Sequence, residues 1–172
     1  MFSECRSLTS IPSYDTSNNR SMAFMFFNCW GLTEIPYMNT SNVENMYYTF
    51  TQTNITTIPA IDTSNVIDFN CCFGWCNYLE SLPLLDCTNA VDTYSIVIGC
   101  GSLKHLEGFA NLHTSLGLSE CPQLTHESLM NVINNLSTVT DYTELFLGYD
   151  NYSKLTEDEI AIVINKGWTV IY

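Results

Sequence analysis

Apolar positions recur in one frame through the first two thirds of this 172-residue chain. The segments Leu8-Thr-Ser-Ile-Pro12, Leu32-Thr-Glu-Ile-Pro36, Ile55-Thr-Thr-Ile-Pro59, Leu79-Glu-Ser-Leu-Pro83 and Leu103-Lys-His-Leu-Glu107 start 24, 23, 24 and 24 residues apart. Five or six residues before each anchor stands Phe2, Phe26, Phe50, Phe73 or Val97, and three residues after these come Cys5, Cys29, Thr53, Cys76 and Cys100. A partial copy follows at Leu118, Cys121 and Leu124. A fixed period in this range predicts a solenoid, in which each unit buries its apolar face only against its neighbours. The spacing predicts about five coils with one short strand each, opened by the Leu/Ile pair of each Thr-rich run. Prolines in those runs remove an amide donor and keep the strands short.

Polar positions repeat as regularly. Asp15-Thr-Ser-Asn18, Asn39-Thr-Ser-Asn-Val43, Asp62-Thr-Ser-Asn-Val66 and Asp86-Cys-Thr-Asn89 carry turn chemistry, because short polar side chains bond their own backbone. Met22, Met46 and Phe69 follow at matching places and fill the opposite wall. The Phe and Cys columns are expected to form internal ladders.

These motifs resemble the BspA-like leucine-rich repeats, which share the aromatic-x-x-Cys-x-x-Leu core and the Asp-Thr-Ser-Asn-Val turn. The resemblance covers residues 2–125. It departs at Cys87 in the fourth copy, and the fifth copy lacks the turn. It implies a right-handed α/β leucine-rich-repeat solenoid, and a setting in bacterial surface proteins or in phage tail and fibre proteins.

Beyond Leu124 the period breaks and helix signals begin. Leu129, Val132, Ile133 and Leu136 share one helical face after Thr125 or His126. Leu145-Phe-Leu147 reads as a strand, Thr156-Glu-Asp-Glu159 as a capping box, Lys166-Gly167 as a stop, and Trp168-Thr-Val-Ile171 as a closing strand. Residues 1–125 are thus expected to form the repeats, and 126–172 a helix-strand-helix-strand cap like the Lys-Gly-Trp-Thr-Val ending of BspA-like proteins. At the other end Met1-Phe2 enters directly in register. Two explanations stand: the chain is the C-terminal piece of a longer protein, which we favour, or a partner covers an uncapped first coil.

Charge narrows the partners. Charged residues are only 13% of the chain, and the net charge is −13. Such a surface repels phosphate backbones and anionic membranes, so no nucleic-acid partner is expected. No apolar run is long enough to span a bilayer, so no membrane insertion is expected, and the first residues are not a signal peptide. Five of the eight cysteines sit at one inward repeat position, which predicts reduced core thiols; Cys71, Cys72 and Cys87 are the candidate exceptions. The spacings of Cys71, Cys72 and Cys76 and of the scattered His105, His113 and His126 match no metal motif, and Asp15, Asp62 and Asp86 read as turn formers interrupted by Asn39. There is no nucleophile elbow, phosphate loop or close carboxylate pair. We therefore expect no catalytic residue, no metal and no cofactor.

What remains is a binding face. Outward strand positions stack Thr9 and Ser10, Thr33 and Glu34, Thr56 and Thr57, Glu80 and Ser81, and Lys104 and His105. Hydroxyls beside Tyr37, Tyr47, Tyr48 and Tyr78 suit glycans or protein surfaces, although Thr is also a common strand former. Three readings follow: a non-enzymatic adhesion module on a bacterial surface binding protein or carbohydrate, a phage virion component in the tail or fibre, or an architectural spacer. All place the chain outside the cell.

Overall fold

The computed structural model describes Met1–Tyr172. Its regular elements are few and late: β1 (Ser81–Leu82), β2 (Leu85–Asp86), β3 (His105–Leu106), β4 (Phe109–Ala110), β5 (Leu116–Gly117), α1 (His126–Asn135), β6 (Glu144–Phe146), α2 (Gly148–Tyr152), α3 (Glu157–Asn165) and β7 (Thr169–Ile171). They make three small parallel sheets, ordered β1-β3, β2-β4 and β5-β6-β7. This corrects the expected five-coil leucine-rich-repeat solenoid with a strand in every coil, since no strand precedes Ser81.

The physical reason lies in the prolines. At Pro12, Pro36, Pro59 and Pro83 the chain has no amide to donate to the preceding turn. Glu107 occupies the same place in the last copy, and its amide donates to the Leu82 carbonyl at 3.2 Å. Strands β1 and β3 pair at that one junction, in the register Ser81–His105 and Leu82–Leu106.

Residues 1–80 are instead successive turns of chain, tied to one another at intervals of about 24 residues. Parallel bridges join Ser21 to Asn45, Asn45 to Asp68 and Asp68 to Asp92. Buried Thr16, Thr40 and Thr63 donate their hydroxyls forward, to the carbonyls of Asn39 (2.8 Å), Asp62 (2.7 Å) and Asp86 (3.1 Å). Asn42, Asn65 and Asn89 donate their side-chain amides backward, to Ser17, Ser41 and Ser64 carbonyls at 2.7–2.8 Å. Asp15, Asn39, Asp62 and Asp86 each accept the amide two residues on, which closes the turn. Cys87 cannot make the Thr bond. There the backbone takes over, with the Cys87 amide donating to Ala110 at 2.8 Å where β2 lies beside β4.

A row of stacked rings runs through the centre. Phe2, Phe26, Phe50 and Phe73 have centroids 5.7, 5.6 and 5.3 Å apart and planes within 14° of parallel. Beside it, the thiols of Cys29, Cys76 and Cys100 each donate at 3.0 Å to the Phe carbonyl one turn back. Cys121 does the same to Val97 at 3.3 Å. The Cys column is therefore a set of weak donors as well as packing volume.

Helix α1 covers the open edge of β3 with side chains in place of a strand. Ser128 accepts the Leu106 amide and donates to the Lys104 carbonyl, and Asn131 donates to Leu106. Thr125 caps α1 and Thr156 forms a full capping box with Glu159 on α3. Gly167 (φ +89°) ends α3 against Val139, where a Cβ would meet the Val139 carbonyl oxygen. The Lys166 ammonium donates to the carbonyls of Ile133, Asn134 and Leu136, closing the C-terminal end of α1. Trp168 is buried, and its indole donates to Ser137 at 2.8 Å. The short α2 has no hydrophobic signature, and pattern reading does not find it. It is placed by buried Asn151, which donates to Leu118 and Cys121 carbonyls.

Replacing Phe50 by Ala is expected to cost about 3–5 kcal/mol, because it opens a cavity inside the ring stack; urea unfolding measures it, and a cost within error of zero would refute the spine. A second expectation concerns pH. Glu159 lies below the usual carboxylate range, chiefly because it accepts the Thr156 amide, with His126 at 2.9 Å adding to this. A folded value below the unfolded one stabilises fully above the unfolded Glu value and fades as pH falls through the folded value. The difference in urea midpoint between the wild type and Glu159→Ala should therefore narrow as pH falls through the carboxylate range.

Candidate functional surface

The structure exposes Thr9, Ser10, Thr33, Glu34, Thr56, Thr57, Glu80 and His105, and leaves Ser81 and Lys104 half-buried. It gathers only part of this set. Thr33, Glu34, Thr56 and Thr57, with Ile35, Ile58 and Pro59, line an open depression of about 500 Å³. Ser10 and Glu34, with Ile11, Ile35 and Pro36, line a second one of about 260 Å³. Glu34 belongs to both. Thr9, Glu80, Ser81, Lys104 and His105 line neither. They extend the flank instead: Ser81 donates to the Thr57 hydroxyl at 3.0 Å, and Lys104 pairs with Glu80 at 3.4 Å.

The depressions exist because the turns do not pair here. The amides of Thr33, Glu34, Ile35, Thr56, Thr57 and Ile58 make no backbone hydrogen bond. One turn later the amides of Glu80 and Ser81 both point to the Thr56 carbonyl, and the gap closes. The floor of the larger depression is aliphatic, while its rim offers three hydroxyls, a carboxylate and backbone amides with no backbone partner. That combination can hold a polyol or a peptide by hydrogen bonds over an apolar base.

Aromatic side chains form a separate cluster that repeat reading only partly anticipates. Phe24 meets Tyr47 edge-on at 5.2 Å and Phe27 edge-on at 5.6 Å, stacks on Tyr48 at 5.6 Å, and Tyr47 lies 4.5 Å from Tyr48. Phe24, Tyr48 and Cys71 share a left-handed backbone conformation at one repeat position. Hydrogen bonding to Cys71, aided by burial, pushes the Tyr48 phenol up to about 12. Tyr37 and Tyr78 stand exposed and outside both depressions. The available signal was the recurrence of Phe24 and Tyr48 at the repeat interval.

All eight cysteines are free thiols, including Cys71, Cys72 and Cys87. Cys5 departs from the expected inward position and is exposed, since it opens the first turn and has no preceding Phe carbonyl to bond. Burial raises Cys72 and Cys100 well above the ordinary thiol value, Cys76 to about 11, and Cys87 and Cys121 to about 12. No three His, Cys, Asp or Glu side chains come together as a metal site would require. No helix is long and apolar enough to cross a membrane.

Stacked turns of about 24 residues, a ring-and-thiol interior and a polar flank define a repeat protein with an extended surface. The chain belongs to the family described as "Mycoplasma protein of unknown function, DUF285", which matches residues 1–105. No curated protein and no solved structure matches it. The family match ends inside β3, so α1 and everything after it lie beyond the matched region.

Iodoacetamide at neutral pH should modify Cys5 alone in the native protein and all eight thiols in denaturant. Mass spectrometry reads the count; native labelling of Cys71 or Cys87 would contradict the packing described.

Proposed function

We propose that this protein is a non-enzymatic recognition module that binds protein or carbohydrate on a cell surface, through the flank centred on Thr33, Glu34, Thr56 and Thr57. The observation that carries the reading is the 500 Å³ depression in which hydroxyls, a carboxylate and unpaired backbone amides surround an aliphatic floor. Exposed hydroxyls and a carboxylate above an apolar floor can exchange their water for the polar groups of a ligand while the floor packs against its apolar part. The resemblance to BspA-like surface repeats supports an extracellular setting, at a bacterial or virion surface.

Charge shapes the ligand class. Only five cationic side chains oppose eighteen acids, and each of the five is engaged within the chain. Arg6 covers Trp30, Arg20 pairs with Glu44, Lys104 with Glu80, and Lys154 and Lys166 donate to backbone carbonyls. The unbalanced acids favour neutral or basic partners over anionic ones.

Glycan arrays and intact bacterial cells, probed with the full chain on a neutral multivalent carrier, test the proposal. Changing Thr33, Glu34, Thr56 and Thr57 together to Lys should lower binding by about tenfold or more. These positions are exposed, so circular dichroism should be unchanged. Binding that survives the four substitutions would move recognition off this flank.

A further inference from the structure

Two tryptophans bracket a polar groove that shares no lining residue with the Thr33 depression. Trp30 is 47% exposed and Trp75 37% exposed, although an indole is normally among the more buried side chains. With Gln52, Asn54 and Asn77 they line an open cavity of about 210 Å³. Each indole is braced from outside the groove. The Arg6 guanidinium lies 4.7 Å from the Trp30 ring. On the other side Trp75 rests over Gly99, where a Cβ would come within 2.6 Å of its Cδ1. Gly99 (φ +72°) is therefore the residue that lets this ring lie flat.

Repeat register explains the placement. Glu4, Asn28, Gln52, Trp75 and Gly99 share one left-handed position in successive turns. Their amides hold the turns in contact: Asn28 donates to Thr51, Gln52 to Gly74 and Trp75 to Ile98. Trp30 and Asn54 lie two residues after this position in their turns, as Asn77 does in the next. Turns in hydrogen-bonding contact are about 4.8 Å apart, so the turns carrying the two indoles stand about 10 Å apart, with Gln52 and Asn54 on the turn between.

The chemistry of the lining is specific. It contains no charged side chain. The Trp168 indole has a carbonyl partner, whereas those of Trp30 and Trp75 have none, and the three side-chain amides are likewise free. Aromatic faces braced for stacking, with primary amides between them, match a sugar ring. Its C–H face packs on the indole, and its hydroxyls both donate to and accept from amides. The lining offers an anionic sugar no cation, the Arg6 guanidinium being engaged against the Trp30 ring, and the −13 chain would repel it. We propose that the Trp30–Trp75 groove is a binding site for a neutral saccharide, one ring or the end of a chain. The inference rests on the recognition reading above but assigns a different surface and a narrower ligand. A site this open holds one ring weakly, and multivalent display supplies the avidity.

Neutral oligosaccharides of hexose and N-acetylhexosamine, titrated into the isotope-labelled full chain, test it through the indole N–H resonances. The indoles of Trp30 and Trp75 should shift together while buried Trp168 stays fixed. The double variant Trp30→Ala with Trp75→Ala should weaken binding about tenfold or more. The Asn54→Leu variant, which changes a surface amide and leaves both rings, should do the same and guards against misfolding of the double variant. Lysines at Thr33, Glu34, Thr56 and Thr57 should leave the indole shifts intact. The site is overturned if no neutral oligosaccharide moves the two indoles, or if binding survives their removal. Flank binding that persists while no neutral oligosaccharide moves either indole would overturn this site and leave the first proposal standing.

Discussion

Everything in this molecule depends on each turn of chain satisfying the backbone of the next. Of 86 backbone–backbone hydrogen bonds, 67 lie outside helices and strands, so regular secondary structure cannot be what holds it. Buried peptide groups must still be paired. Pairing is achieved turn to turn, with Thr hydroxyls reaching forward, Asn amides reaching back and thiols reaching back inside the core. A slip of one residue would break all three sets at once and misalign the stacked rings. Register is thus over-determined, which lets a chain with little sheet keep a defined interior.

The same device fails locally where it lacks donors. Four prolines withdraw amides along one flank, and two neighbouring turns there leave six amides without a backbone partner. The loss of sheet and the depression lined by Thr33, Glu34, Thr56 and Thr57 are one physical event. Cross-turn bonds are supplied instead by the Asp-Thr-Ser-Asn turns that follow these prolines. This division leaves the open flank free to vary its exposed side chains without touching the core.

The C-terminal elements solve a different problem. The last turns present strand edges and carbonyls that no further repeat will cover. Ser128 and Asn131 of α1 take the edge of β3, Asn151 takes the carbonyls of Leu118 and Cys121, and Lys154 those of Pro122 and Leu124. Lys166 then closes α1 itself. Desolvation holds Lys154 and Lys166 below the usual lysine value, the cost of using ammonium groups as carbonyl caps. With these cations directed inward, the outer surface is left acidic.

By itself the sequence determined the period, the buried columns apart from Cys5, the turn motif and the capping box at Thr156, and narrowed the first helix cap to Thr125 or His126. These are local or strictly repeating properties, so residue type and spacing are enough. It did not determine which turns pair as strands. Proline content pointed to short strands, but only the stacked turns show that, between repeats, strands pair where Glu107 replaces a proline and Cys87 replaces a threonine. Of the expected face, the hydroxyl and acid positions at 33, 34, 56 and 57 meet in one depression, whereas Thr9, Glu80, Ser81, Lys104 and His105 do not. Nor did it reveal that Trp30 and Trp75, 45 residues apart, flank one groove around Gln52 and Asn54. Which side chains share a surface depends on how closely successive turns approach, and tertiary packing alone sets that distance.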